Sequence, residues 1–358
     1  MFAGIADGKD GGLRIETGRR RDRGLGPFPR QQRKPQPFGS RLSLGFSCFL
    51  LTVSSAFAQT GEITPSVPPA PPAAVERVDA AGMVARLTSS GFRCFRAPPN
   101  GSAECRGMVE GYPKQVRVFV PPAFSLAATP SPTLLIHFHG WLQGTLPQEG
   151  VFDRHRFGDR LALTGVNAVL VVPESADRCA TYREQLRTGP QWAGFLSRLE
   201  ALGKGSGPGV LFGSLVLSGH SGAYQIFANL ALALQTEDRV LRKIHAAGLF
   251  DAVYGREDEL TELAKLLAGR KDVFYSSYLA YGAGATGMPS DGNQTIMNKL
   301  KAASVSFQLL PGAHLPPLEP RTRIFFRPTP IMAGPPDPHF KMVDTELSLF
   351  WKSVARGP

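Results

Sequence analysis

The sequence lacks the motifs by which proteins commonly hold metal ions and nucleotides. It has no HExxH pair, no cysteine and histidine spacing typical of zinc sites, and no DxDxDG calcium loop. Its glycine-rich stretch KGSGPG precedes an apolar run and does not follow one, so it does not fit a phosphate-binding loop. No segment repeats at a fixed period. We therefore expect no metal ion and no cofactor.

Cysteine is scarce, with four in 358 residues. Cys94 and Cys105 flank a stretch that contains the turn signal PPNG, so they can face each other across a hairpin in an oxidising compartment. We predict a disulfide between them. Cys179 has no histidine or acid beside it, and we interpret it as structural.

The apolar run from about Leu42 to Val53 is too short to span a bilayer comfortably. It follows a basic residue and precedes an Ala-Phe-Ala stretch, which is the pattern of a secretory signal peptide with cleavage before Gln59. We assign the signal peptide to residues 41–58. The mature protein is then predicted to be secreted or periplasmic, with no stable membrane anchor.

Most of the excess positive charge lies in the first residues of the chain. The whole sequence has 40 Lys and Arg against 29 Asp and Glu. Residues 1–58 hold ten of the basic and four of the acidic residues, which leaves 30 against 25 in a chain that starts at Gln59. A nucleic-acid partner therefore has no electrostatic support, and we expect none.

The composition divides the chain into four parts. Residues 1–40 are rich in Gly, Pro and Arg without an apolar period, and are predicted to be disordered or to follow from a start codon placed too early. Residues 41–58 are the predicted signal peptide, and residues 59–76 are a Pro-rich linker. Residues 77–358 are predicted to be the folded domain.

From Thr133 onward, apolar runs alternate with segments of helical periodicity. The predicted strands are TLLIHFHG, NAVLVVPE, LFGSLVLSG, KIHAAGLFD and DVFYSSYLAYG. Nearly continuous apolar strands between helices are typical of a parallel sheet covered on both faces. AECRGMVEG and KQVRVFVPP are predicted as two earlier strands of a meander, RIFFRPT as the last strand, and FKMVDTELSLFWKSV as the closing helix.

A serine lies where one of these strands ends and a helix begins, in GHSGA at residues 219–223. A serine on a strained strand-to-helix turn exposes its hydroxyl above the sheet, beside the amides of the helix N-terminus. Such a turn needs small neighbours two positions away on either side. Gly219 and Ala223 meet that demand, although the usual motif ends in Gly. Ser221 is therefore the candidate nucleophile.

Residues 104–355 resemble the α/β-hydrolase superfamily in the order of their parts. Two antiparallel-type strands come first, then HFHG at a strand end, the serine turn, and an acid and a histidine beyond it. The resemblance implies an α/β fold with a doubly wound, mostly parallel sheet of about eight strands and helices on both faces. It also implies nucleophilic catalysis with partners in the order Ser, Asp or Glu, His. Residues 77–358 would then be the catalytic domain.

Two histidines are candidates for the base. This superfamily carries its base between the final strand and the terminal helix, and His339 has that position between RIFFRPT and the closing helix. His314, in LLPGAHLPP, also follows a predicted strand, but PPLEP after it cannot begin a long helix. We favour His339 and keep His314 as the alternative.

The acid also has two candidates. Asp251 ends the first strand after the serine, a position that a minority of the superfamily uses. Asp291, in PSDGN, follows the next strand, which is the commoner place, but it lies about ten residues out in a Gly-rich loop. We favour Asp251.

An oxyanion needs two preorganised donors. The resemblance places one at the amide of Gly222 and the other in the turn after HFHG, at Gly140 and Trp141, with the Trp141 amide favoured.

The predicted function is that of an exported serine hydrolase, most directly a carboxylic-ester hydrolase that forms an acyl-enzyme on Ser221. Its substrate would be a small-molecule or polymer ester. A peptidase or amidase on the same scaffold remains an alternative, because the same triad cleaves either bond. A non-catalytic exported binding domain also remains open, since such a domain can keep the serine turn after losing a triad member.

Overall fold

The structure is a computed structural model of the chain. It describes residues 78–97, 101–126, 131–140, 155–175, 182, 186–204, 212–235, 239–280, 287–310, 322–331 and 337–355. The predicted N-terminal extension, signal peptide and linker lie outside the described residues, as do Cys179, His314 and Trp141. The described residues begin at Val78, so the boundary at residue 77 stays a prediction.

A ten-stranded mixed sheet forms the centre of the described residues. Its strands are β1 (Arg93–Ala97), β2 (Ser102–Met108), β3 (Gln115–Val120), β4 (Thr133–Phe138), β5 (Ala168–Pro173), β6 (Ser214–His220), β7 (Ile244–Phe250), β8 (Val273–Leu279), β9 (Gln308–Leu309) and β10 (Ile324–Thr329). Their order across the sheet is β1-β2-β3-β5-β4-β6-β7-β8-β10-β9. The first three pairings are antiparallel and the others are parallel.

Helices cover both faces of this sheet. They include α1 (Ala80–Ser89), α2 (Phe157–Thr164), α3 (Gly189–Lys204), α4 (Tyr224–Leu234), α5 (Glu257–Gly269), α6 (Pro289–Ala302) and α7 (Pro338–Val354). Side chains of α1 and of α3 to α6 belong to one apolar cluster, whereas those of α2 and α7 belong to a second. Among the helices within the described ranges, none is both long and apolar enough to cross a bilayer.

The apolar runs explain why the central strands are parallel and covered. Every residue of β4, β5 and β8 is buried. A strand whose two faces are both apolar must have helices above and below it, as βαβ crossovers provide. Each fully buried aliphatic side chain contributes roughly 1.5–3 kcal/mol to the free energy of folding.

The sheet order and the helices on both faces confirm the predicted fold class, an α/β fold with a doubly wound, mostly parallel sheet. The strand count differs slightly, with ten strands in place of about eight. One added strand is β1, whose sequence RCFRA carries two arginines and has no apolar run. β9 lies in the stretch before His314 that the sequence already predicts as a strand, although only two of its residues pair.

The predicted disulfide is present. Cys94 of β1 lies directly opposite Cys105 of β2 in the antiparallel register, and the two are covalently bonded. The bridge therefore ties the edge strand of the sheet to its neighbour.

Candidate active site

The candidate site lies at a switch point of the sheet. β4 has β5 on one side and β6 on the other, and all three strands are parallel. The connections at the carboxyl ends of β4 and β6 therefore leave toward opposite sides, which opens a crevice at that edge. Phe138 and Gly219 are register partners next to this edge. The candidate serine and the HFHG turn both follow directly.

Ser221 occupies the turn between β6 and the helical residues that follow. It has φ +54° and is 7% exposed. A left-handed conformation costs a non-glycine residue about 1–3 kcal/mol, so surrounding structure must hold it. A short 3₁₀ turn, Ser221–Ala223, leads directly into α4. The first amides of a helix have no partner within it and carry its positive dipole end, so they suit an anion.

The small residues of the turn are required by close packing. A Cβ atom at Gly219 would lie 2.6 Å from Cε2 of Phe227 and 2.8 Å from Cβ of Ala223. Ala223 is itself fully buried. The alanine at the motif's last position therefore fits, because Gly219 has no Cβ atom to clash with its methyl group.

Gly140 brings the end of β4 against the serine. A Cβ atom at Gly140 would lie 2.6 Å from Cβ of Ser221 and 2.7 Å from Nδ1 of His220. Only glycine allows this approach of the backbone. The structure thus places Gly140 directly against Ser221, and Gly222 is the next residue of the 3₁₀ turn. Trp141 lies outside the described residues.

His339 and Asp251 form a direct pair. Nδ1 of His339 lies 2.6 Å from Oδ2 of Asp251, whose side chain is fully buried. A carboxylate only accepts hydrogen bonds, so Nδ1 carries the proton and Nε2 is left as an acceptor. The other carboxylate oxygen, Oδ1, accepts from the amide of Leu279 at 3.1 Å. The acid is therefore fixed from both sides.

Helix α7 sets the place of His339. The helix begins at Pro338, and the side chain of Asp337 caps it by accepting from the amide of His339 at 2.9 Å. Proline at the first helical position and aspartate at the cap are the residues that favour a helix start. His339 thus lies in the first turn of the helix, whereas the sequence analysis placed it just before.

The alternative residues lie elsewhere. Asp291 is exposed in the first turn of α6, where Oδ2 accepts from the amide of Gly287 at 3.4 Å. A carboxylate there favours the helix N-terminus electrostatically. The structure brings Asp251 to His339, and Asp291 has no such place. His314 lies outside the described residues.

Four further histidines surround the site, and the sequence analysis assigned no role to them. They are His137, His139, His155 and His220, and all are buried. Burial lowers the pKa of His139 to about 4, and burial also lowers the pKa values of His137 and His220 well below the usual range. All three are therefore neutral at pH 7.

Two of these histidines fix the strand ends. Nδ1 of His139 donates to the carbonyl of Gly140 at 2.9 Å, and its Nε2 accepts from the amide of Ser175 at 3.2 Å. Nδ1 of His137 lies 3.0 Å from the hydroxyl of Ser218 on the neighbouring strand. The HFHG and LSGH segments contain the residues involved, but these contacts can be predicted only once β4 and β6 are known to be neighbours.

The described residues contain no cluster of three or more His, Cys, Asp or Glu side chains arranged to hold a metal ion.

Comparison with known proteins adds distant structural likenesses. No protein-family model matches the sequence, and no characterised protein matches it by sequence. Similar solved structures include an S-formylglutathione hydrolase from Agrobacterium tumefaciens (12% identity, 74% of this chain, 99% of that chain, TM-score 0.43). Another is MPT51 from Mycobacterium tuberculosis, with 14% identity over 73% of this chain and 96% of that chain and a TM-score of 0.42. A third is a carboxylesterase from Lactobacillus plantarum, with 11% identity over 70% of this chain and 96% of that chain and a TM-score of 0.42.

Proposed function

We propose that this chain is an exported serine hydrolase that cleaves carboxylic esters through an acyl-enzyme on Ser221. The observation that carries the proposal is the 2.6 Å pair of His339 Nδ1 and Asp251 Oδ2. It is supported by the 3.0 Å contact of the His339 carbonyl with His220, the residue before the strained Ser221. A serine hydroxyl is a weak nucleophile at neutral pH and needs a base oriented by a third group. Each of the three roles has a candidate here.

In the first half of the reaction, the oxygen of Ser221 attacks the ester carbonyl while its proton passes to Nε2 of His339. The buried carboxylate of Asp251 holds the imidazole in the tautomer that can accept this proton and stabilises the imidazolium that forms. The tetrahedral intermediate then collapses. Its bond to the alcohol breaks, and His339 returns the proton to the leaving oxygen.

The negative charge of the intermediate needs fixed donors. We assign one to the amide of Gly222, at the start of the helical turn, and one to the amide of Trp141, after the glycine that packs on Ser221. One such donor typically contributes about 3 kcal/mol of transition-state stabilisation. Water then attacks the acyl-enzyme and gives its proton to His339. The bond between the acyl carbon and the Ser221 oxygen breaks, His339 returns the proton to that oxygen, and the carboxylic acid leaves.

Export is proposed from the signal peptide over residues 41–58 and cleavage before Gln59. The Cys94–Cys105 bridge supports this proposal, because disulfides persist in oxidising compartments and are rare in the cytosol. The substrate class is a small-molecule or polymer ester outside the cytoplasm.

The test is covalent labelling with a fluorophosphonate probe, which reacts with activated serines. We expect the mature protein to be labelled at Ser221 and to hydrolyse a short p-nitrophenyl ester. Ser221→Ala should abolish both, while circular dichroism stays unchanged because one oxygen atom is removed.

A matched control is Ser218→Ala, three residues earlier on β6, whose hydroxyl contacts His137 and not the candidate triad. That variant should still be labelled. Absence of labelling in the folded parent protein would favour a binding domain. Faster turnover of p-nitroanilides than of the matching esters would favour an amidase or peptidase.

A further inference from the structure

His220 immediately precedes the candidate nucleophile and contacts the candidate base. Its Nε2 lies 3.0 Å from the backbone carbonyl of His339. A carbonyl oxygen only accepts, so Nε2 carries the proton and donates. The two imidazole rings also lie against each other, with centroids 4.3 Å apart and planes inclined by 36°. The residue before Ser221 therefore holds both the backbone and the ring of His339.

The remaining contacts of His339 show what this one adds. Asp251 and, at 3.5 Å, the Tyr254 hydroxyl contact Nδ1, and the Asp337 side chain holds the amide nitrogen. The rings of Tyr254 and Phe340 meet the imidazole at steep angles, with centroids 6.2 Å and 5.5 Å away. The His220 ring is nearer and more nearly parallel than either, so it restricts a tilt of the imidazole about its Nδ1 contacts most directly.

His220 is itself fixed on its other side. The 2.7 Å approach of a Cβ at Gly140 to Nδ1 of His220 shows that the ring lies directly on the end of β4. Phe340 and His155 contact the same ring, with centroids 5.9 Å and 6.2 Å away. The ring is thus wedged between the strand end and the base, and is 2% exposed.

We infer that His220 is a positioning residue, which aligns the imidazole of His339 between Ser221 and Asp251 through one hydrogen bond and ring packing. The inference rests on the proposed function. This role explains why the last residue of β6 is a histidine, although many residue types could end a strand. It also ties the base directly to the nucleophile's own turn.

The electrostatics suit this role. Burial lowers the pKa of His220 well below the usual range, and His339, His155 and His137 lower it further. The ring therefore stays neutral when His339 takes up a proton during turnover. A protonated neighbour would repel the imidazolium that the reaction must form.

A matched control contacts the opposite end of the same helix, α7. Nε2 of His245 lies 3.0 Å from the carbonyl of Val354, at the far end of α7. His245 thus makes the same kind of hydrogen bond to the helix that carries the base, and it lies at the opposite end of β7 from Asp251. Loss of that bond should affect the docking of α7 without affecting the alignment of His339.

The experiment compares His220→Phe, which keeps an aromatic ring without the donor, with His245→Phe. On a p-nitrophenyl ester, we expect His220→Phe to reduce kcat by about tenfold to a hundredfold with KM within about threefold, since small misalignments of catalytic groups cost this much. His245→Phe should keep kcat within about threefold. His220→Gln, which can place a donor near the Nε2 position, should recover part of the loss.

A second readout does not depend on activity. In protein labelled with ¹⁵N-histidine, the Nδ1–H proton of His339 hydrogen-bonded to Asp251 should give a distinct NMR resonance. We expect it to be lost or broadened in His220→Phe and retained in His245→Phe. If His220→Phe fails to fold, His220→Asn replaces it, because the shorter side chain reaches neither the carbonyl nor the ring face.

Two results would overturn the inference. One is a kcat of the His220 variant within threefold of the parent together with an unchanged His339 resonance. The other is an equal loss in both positions, which would assign the effect to helix docking. A parent protein that is never labelled at Ser221 would instead contradict the proposed function, and the NMR comparison would still decide the role of His220.

Discussion

At the scale of single residues, the environment of Asp251 distinguishes it from the other acids considered. Its side chain is fully buried, and both oxygens are used, by the amide of Leu279 and by the ring of His339. Burying a carboxylate is costly unless its oxygens are hydrogen-bonded, and both oxygens of Asp251 are. One of the two partners is His339, which is consistent with a role in orienting the base.

Asp251→Asn should leave the fold intact and reduce kcat by about 10⁴-fold, because an amide can hold the opposite tautomer of the imidazole and cannot stabilise the imidazolium. Steady-state kinetics on a p-nitrophenyl ester would measure this. Asp291→Asn, at an exposed helix N-terminus, is the matched control and should keep kcat within about threefold. A large loss of kcat in Asp291→Asn and not in Asp251→Asn would assign the role of the triad acid to Asp291.

Chain order made some of these residues predictable. Ser221, Asp251 and His339 each follow a strand and come in the order that the superfamily resemblance implies. The positioning role of His220 could not be predicted from the sequence, because the residue contacts His339, which lies 119 positions away. A contact between residues so far apart depends on how the strands are ordered, which local pattern does not specify.

At the scale of elements, the start of α7 links helix capping to the candidate chemistry. Asp337 is exposed and contributes its side chain to the amide of the same residue that forms the base. Helix α1 has a comparable cap, in which Oδ1 of Asp79 accepts from the amide of Gly82 at 2.9 Å. The two caps are chemically alike, and only one lies at the candidate site.

Asp337→Ala and Asp79→Ala should each lower the free energy of unfolding by about 1 kcal/mol, the usual effect of losing an N-cap. Only Asp337→Ala should also lower kcat, by about tenfold, because the first turn of α7 then frays around His339. Urea titrations and ester kinetics on both variants separate the effects. An equal kcat in the two variants would show that the cap does not position the base.

The sequence predicts strands most clearly where both faces of the strand are buried. The strands from β4 to β8 are covered on both faces, so their apolar runs are long and unmistakable. β1 is an edge strand with charged residues, and its pairing depends on β2. Edge strands have one neighbour and weak patterning, so their number is difficult to predict from a single sequence.

At the scale of the whole molecule, the disulfide and the proposed export make one prediction. Protein secreted by its native route should begin at Gln59, as read by mass spectrometry of the intact chain. Cys94 and Cys105 should resist alkylation until a reductant is added. Replacing both by serine should lower the free energy of unfolding by about 2–4 kcal/mol. An N-terminus at Met1 with free thiols would contradict export.

The buried histidines bear on the stability of the entire domain. His137, His139 and His220 have pKa values lowered chiefly by burial, and His155 and the buried cation Arg117 lower that of His139 further. In the unfolded chain each would titrate near 6.5. Below that pH the unfolded state binds more protons than the folded one, so the free energy of unfolding falls as the pH falls.

The decline should begin near pH 6.5 and, for His139, continue toward its folded pKa of about 4. Each histidine still neutral at pH 5 then costs about 2 kcal/mol of stability relative to pH 7. Urea titrations at pH 7, 6 and 5 and fixed ionic strength measure the total.

His139→Asn removes one titrating group, and its amide nitrogen can still donate to Gly140. That variant should lose about 2 kcal/mol less than the parent between pH 7 and 5. Equal losses in parent and variant would mean that His139 is already protonated at pH 5 in the folded state, contrary to its burial beside Arg117.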